Sequence, residues 1–182
     1  MDNGIKQVKY FHNPDQFEFT EMLKLSYVNI KQEWSQAPRH IRRTQSTLEA
    51  PQIENIPSKW DVVFVIDRGR PVESMRRYFP VTMNLINTVK ISQNLLFSVF
   101  YPGLELIPHL GFQDICRVHL GIDMNDQSAL ICGGEKRTLE NGEVLVFEDG
   151  QEHYAYNKGS TERTILCFDI LKADFTKVDW IG

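Results

Sequence analysis

Between residues 94 and 171 the chain is cut into short apolar segments by turn residues, and this pattern restricts the fold more tightly than any other feature. Strand-length segments lie near 95–101, 105–110, 115–122, 128–132, 136–139, 143–147, 152–157 and 163–171. Pro102-Gly103, Asn125-Asp126, Gly133-Gly134, Asn141-Gly142 and Lys158-Gly159 supply turns between several of them. About eight short strands preceded by helices predict a mainly β fold, a jelly-roll barrel with an N-terminal helical cover.

The cover is legible in residues 1–93. A strand-like piece around Val8 to Phe11 leads into Asn13-Pro14-Asp15, where Asp15 is placed to cap a helix running to about Trp34. Phe19, Met22, Leu23, Ile30 and Trp34 fall on one face of that helix, which is expected to lie on a sheet. Residues 36–59 are polar and basic with Pro38, Pro51 and Pro57, and read as a long loop; the cluster Arg39-His40-Ile41-Arg42-Arg43 within it reads as solvated. Trp60 to Ile66 is a buried strand closed by the turn Asp67-Arg68-Gly69-Arg70-Pro71, and Pro80 suits the first turn of a helix whose Leu85, Ile86 and Val89 form an inner stripe. Residues 172–182 form a tail. At 182 residues and 42% hydrophobic, the chain supports one domain with a sizeable core.

Charge and cysteine content exclude several function classes. A net charge of -4 and a pI near 5.7 argue against a nucleic-acid binder. Cys116, Cys132 and Cys167 are odd in number and widely spaced, so they read as buried reduced thiols. No apolar stretch approaches the roughly 18 to 20 residues that span a bilayer, and the N-terminus has no signal-like core, so the expected location is the cytoplasm, with no membrane partner.

Alternation within the strands points to a site. In Ile115 to Ile122 one face carries Cys116, Val118, Leu120 and Ile122 and the other Ile115, Arg117, His119 and Gly121. If the apolar face packs on the helices, Arg117 and His119 point into the barrel, and Arg163 at the start of the last strand can bring a second guanidinium there. Guanidinium groups aimed into a cavity await an anion, because an unpaired buried charge costs several kcal/mol. His109 and His153 each sit at the edge of a strand-like segment, compatible with neighbouring strands that face one metal. The residue two after His109 is Gly111, so no third protein ligand is evident; Asp114, Glu148, Asp149 and Glu152 are weak candidates.

These pieces, taken in order, resemble a known family. F-S-V-F-Y-P-G around Ser98, P-H-L-G at His109, R-V-H-L-G at Arg117, G-E-V-L-V-F-E-D-G-Q-E-H ending at His153, and R-T-I-L-C-F-D-I from Arg163 are similar to the aspartyl/asparaginyl β-hydroxylase family of Fe(II)- and 2-oxoglutarate-dependent oxygenases. The resemblance implies a double-stranded β-helix of cupin-like type. It implies His109 and His153 as iron ligands, with water in place of the missing carboxylate at Gly111. It implies Arg163 as the partner of the distal carboxylate of 2-oxoglutarate, with Ser98, Arg117 and His119 lining the cosubstrate site. The reaction implied takes O2 and 2-oxoglutarate, releases succinate and CO2, and hydroxylates an unactivated C–H bond.

The chain also departs from the pattern. Members that act on aspartyl residues place cations where Leu96 and Ile115 stand here, so the expected substrate is a small or amino-acid-derived molecule with a less acidic reacting end. Arg68, Arg70, Arg76 and Arg77 read as solvated surface rather than a substitute grip. Two alternatives remain: a cupin-like binding protein without turnover, and a halogenase that uses the coordination position opened by Gly111.

Overall fold

A 3-10 turn at Pro14–Gln16 starts the helical cover, and its cap is Asn13, whose side chain accepts from the Asp15 amide at 3.1 Å. This corrects the assignment of Asp15 as the cap: Pro14 begins the helical path one step earlier than the pattern suggests, and Asp15 instead pairs with Lys24 at 3.1 Å. Helix α1 follows over Glu18–Gln36 and buries Phe19, Leu23, Ile30 and Trp34 along one face. This computed structural model describes residues 10–45 and 59–178; Val8, Pro51 and Pro57 lie outside that range, as does the side chain of Ile86.

Twelve strands are present among the described residues: β1 (Phe11–His12), β2 (Arg43–Thr44), β3 (Trp60–Asp67), β4 (Arg70–Pro71), β5 (Ile91–Phe100), β6 (Leu104–Glu105), β7 (Ile115–Asp123), β8 (Ser128–Cys132), β9 (Glu135–Arg137), β10 (Val144–Glu148), β11 (His153–Asn157) and β12 (Arg163–Leu171). They form two antiparallel sheets. The larger runs β1-β10-β7-β12-β5-β3-β2 with β4 on β3, and the smaller runs β6-β11-β8-β9. The architecture is the mainly β, cupin-like jelly roll with a helical cover, but the two sheets are not joined by a continuous ladder into a closed barrel.

One face of the larger sheet is the core. Cys116, Val118, Leu120 and Ile122 are fully buried there with Leu23, Ile30 and Trp34 of α1. Trp34 stacks on Phe97 at 4.8 Å, and Phe79 leans on the same ring at 4.9 Å. At about 1.5–3 kcal/mol for each large side chain removed from water, this layer fixes which way β7 faces. The short helix α2, Pro80–Asn84, has Pro at its first turn, and the Glu33 carboxylate of α1 accepts from the Thr82 amide at 3.0 Å and from its hydroxyl at 2.7 Å. The 67–71 turn is a tight hairpin whose centre, Arg68 (φ 50°) and Gly69 (φ 74°), occupies the left-handed region, and Asp67 pairs with Arg70.

Three local expectations change. The 105–110 segment is strand only at Leu104–Glu105, and resumes as an isolated bridge between His109 and His153. The described part of the 36–59 loop holds the 3-10 turn Arg39–Ile41 and β2. Arg42 in the basic cluster is not solvated: it lies 4.8 Å from the centre of the Trp34 ring and pairs with Glu162 at 2.9 Å, because the indole offers an aromatic face and Glu162 a carboxylate in one place.

Candidate active site

With the apolar face of β7 against α1, the opposite face of the larger sheet must look toward the smaller one, and a cavity of about 180 Å³ opens between them. Ser98, His109, Arg117, His119, His153 and Arg163 all line it. The structure therefore brings together all six residues singled out from the sequence.

His109 and His153 come from the facing strands of the isolated bridge, where each backbone amide reaches the other residue's carbonyl, at 3.1 and 2.9 Å. Their ring centres are 4.4 Å apart. Nδ1 of His109 lies 2.9 Å from the Ile107 carbonyl and Nδ1 of His153 lies 2.8 Å from the Gln151 carbonyl. A carbonyl only accepts, so both Nδ1 atoms carry the proton and both Nε2 atoms present a lone pair, the arrangement of metal-binding imidazoles. Burial lowers the pKa of His109, and lowers that of His153 to about 4 with His109 beside it, so both rings are neutral at pH 7. His153 Nε2 is buried without a hydrogen-bond partner.

Beside these rings sits Asp149, a carboxylate that the sequence ranked among weak candidates. It is fully buried, with Oδ1 3.6 Å from His153 Nε2 and 3.3 Å from Arg117, and Oδ2 accepts from the Phe112 amide at 2.8 Å. Gly111 makes room for it: a Cβ there would lie 1.9 Å from Asp149 Oδ2. Gly111, two residues after His109, thus leaves the space that Asp149 fills from another loop, a relation that linear spacing cannot show. Asp114 and Glu152 are exposed, and Glu148 is held by His12 at 2.7 Å and by Lys172. His12, Cys116 and Glu148 bring ligand-type atoms within 4.8 Å of one another, but the Lys172 ammonium already supplies the cation there.

The two guanidinium groups differ in a way the sequence did not reveal. Arg117 is paired with Asp169 at 2.9 Å and Asp149 at 3.3 Å; burial opposes its charge, but the two carboxylates outweigh it and hold it protonated. Arg163 is 2% exposed, its Nε has no hydrogen-bond partner among the described residues, and burial lowers its pKa to about 10. It rests 5.0 Å from the centre of the Phe100 ring. His119 also has a buried Nδ1 without a partner, and burial followed by the nearby Arg163 and Arg117 keeps it neutral. Ser98 accepts from the Trp60 indole at 2.9 Å, which leaves its own O–H free to donate.

These orphaned atoms fit a metal and an anion. Two neutral imidazole nitrogens suit Fe(II), and a buried, unpaired guanidinium suits a carboxylate. The three cysteines are reduced and buried, as expected, and among the described residues no helix is long and apolar enough to cross a membrane.

Comparison with known proteins identifies the family. A family model described as aspartyl/asparaginyl beta-hydroxylase matches residues 20–173. The aspartyl/asparaginyl beta-hydroxylase of Mus musculus is 28% identical over 185 residues, covering 96% of this chain and 24% of that protein. The ornithine lipid ester-linked acyl 2-hydroxylase of Rhizobium tropici is 28% identical over 119 residues, covering 63% of this chain and 42% of that protein. The chain thus spans about a quarter of the length of the mouse relative. Among solved structures, a Thermotoga maritima protein described as a predicted oxalate decarboxylase is similar at 14% identity and a TM-score of 0.48, covering 71% of this chain and 91% of that one. With a family model matched over most of its length, the chain belongs to the aspartyl/asparaginyl beta-hydroxylase family.

Proposed function

We propose that this protein is an Fe(II)- and 2-oxoglutarate-dependent hydroxylase, with iron on His109 and His153 and the distal carboxylate of 2-oxoglutarate on Arg163. One observation carries the reading: a fully buried guanidinium without a hydrogen-bond partner at Nε faces the same cavity as two imidazoles that present Nε2. Iron with 2-oxoglutarate and O2 supplies the oxidising power that hydroxylates a C–H bond, with succinate and CO2 as coproducts. The protein's own residues position and shield. Ile107 and Gln151 carbonyls fix the two histidine tautomers. Arg163 offers the planar donor pair that a carboxylate matches, and Ser98 and His119 complete the polar end. Phe100, Leu106, Leu130 and Phe147 wall the cavity and exclude water.

The substrate read from the sequence is a small or amino-acid-derived molecule; the names of the relatives point to aspartyl and asparaginyl groups in one case and a lipid acyl chain in another. A carboxylate 3.6 Å from His153 Nε2 repels chloride, which supports hydroxylation over halogenation. The experiment is an anaerobic titration with Fe(II) and then 2-oxoglutarate, followed by absorption of the metal–ligand complex, and then succinate release on admitting O2. Formation of the complex and succinate release are expected. Complex formation without succinate, with substrate candidates present, would favour the binding protein over the enzyme.

A further inference from the structure

Among the described residues that line the cavity, the charged side chains are Arg117, Arg163 and Asp169, and Asp149 stands directly behind them. Arg117 is engaged by both Asp149 and Asp169, which leaves Arg163 as the one guanidinium there without a carboxylate partner. His109 and His153, with Nδ1 held on the Ile107 and Gln151 carbonyls, would serve as neutral iron ligands through Nε2. Two guanidinium and two carboxylate groups sum to no net charge.

Resting on the proposed reaction, Fe(II) adds two positive charges and 2-oxoglutarate two negative ones, so the loaded site is again neutral. Arg163 is then occupied, and among the described lining residues no cation remains for a second anion. The remaining wall toward β3 and β5 is Val62, Phe64 and Leu96, with Leu96 facing Phe64 on one neighbour and Cys167 on the other. The polar groups near that wall, Asn94, Gln45 and Ser98, are uncharged carboxamide and hydroxyl groups. At about 180 Å³, against roughly 300–1,000 Å³ for ligand pockets in general, the cavity takes the cosubstrate and only the reacting end of a second molecule.

We infer that the substrate presents an uncharged, largely apolar reacting end to this site, packed against Val62, Phe64 and Leu96, and that a carboxylate at that end is rejected. A carboxylate placed there would be a buried charge without a partner. The expected discrimination is at least about a hundredfold, equivalent to about 2.8 kcal/mol.

The test uses the full chain, anaerobic and saturated with Fe(II) and 2-oxoglutarate, and two probes with one carbon skeleton: 4-methylpentanamide and 4-methylpentanoate. Saturating 2-oxoglutarate keeps the carboxylate probe off Arg163. Binding is read by calorimetry and by the change in the absorption band of the complex, with no turnover required. The amide should bind and the carboxylate should bind at least about a hundredfold more weakly. Leu96→Arg should reverse the preference, and Asp169→Asn, which adds no bulk and removes one of the two carboxylates that neutralise Arg117, should shift it toward the carboxylate. If the amide fails to outbind the carboxylate in the wild type, or if neither folded variant shifts preference toward the carboxylate, the inference is overturned. Failure to form the Fe(II)–2-oxoglutarate complex before any probe is added would instead overturn the proposed reaction.

Discussion

Arg163 should make the protein less stable until its ligand arrives, and replacing it with Met measures by how much. Burial lowers its pKa from 12.5 to about 10, which corresponds to roughly 3 kcal/mol of unfavourable free energy for holding the charge in the cavity. Because about 10 is far above neutrality, the group stays charged at pH 7 and the whole penalty is present; it is relieved only as pH rises through about 10. Met keeps most of the side-chain volume over Phe100 and removes the charge. Arg163→Met should therefore raise the stability of the ligand-free protein by about 2–3 kcal/mol, seen as a Tm increase of roughly 5–10 °C for a domain of this size. The same substitution should weaken 2-oxoglutarate binding by about 30-fold or more and abolish the thermal stabilisation that 2-oxoglutarate gives the wild type, because a carboxylate would then be buried unpaired. Arg163→Lys should fall between, since an ammonium lacks the planar donor pair. Fe(II) binding should be unchanged in both. Melting curves with and without 2-oxoglutarate decide the matter. An Arg163→Met protein that melts below the wild type when ligand-free, yet binds 2-oxoglutarate equally well, would show that Arg163 is a structural cation and that the anion site lies elsewhere.

Other outcomes follow from the same geometry. His109→Ala or His153→Ala should abolish Fe(II) binding and 2-oxoglutarate decarboxylation while circular dichroism stays native; near-normal iron affinity in either variant would displace the metal site. His153 titrates at about 4 in the fold against an ordinary 6.5, so the unfolded chain takes up a proton that the folded one does not. Metal-free stability should be full above about pH 6.5 and be lost as pH falls toward about 4, and His153→Gln should flatten that slope in denaturant titrations. Gly111→Ala should destabilise by roughly 1–3 kcal/mol because its Cβ would meet Asp149 Oδ2 at 1.9 Å. Asp149→Ala should relieve much of that clash in the double variant, and strict additivity of the two substitutions would refute the contact. An aspartyl peptide should show no detectable hydroxylation by mass spectrometry, since Leu96 offers its carboxylate no cation.

Much of this protein is determined by its sequence because strand and helix periods are local. The two-residue alternation of Ile115 to Ile122 separates a core face from a cavity face, and the boundaries read for 115–122, 128–132, 152–157 and 163–171 fall within a residue of the strands. Arg117, His119 and Arg163 line the cavity for the same reason, by their places in β7 and β12, while His109 and His153 are marked by their strand-edge positions and, with Ser98, by the family resemblance. What only the tertiary structure decides is how charges from different strands pair. Arg117 and Arg163 look alike in sequence, each at an inward position of a strand. Yet Asp169, opposite Arg117 on β12, and Asp149, from the loop after β10, neutralise Arg117, while among the described residues no carboxylate reaches Arg163. Likewise Gly111 reads as an absence along the chain, and becomes the space for Asp149 only when the 109–112 and 149–153 segments are bridged. Electrostatic interaction depends on distance in space and on burial, and neither is written in the spacing of residues along the chain.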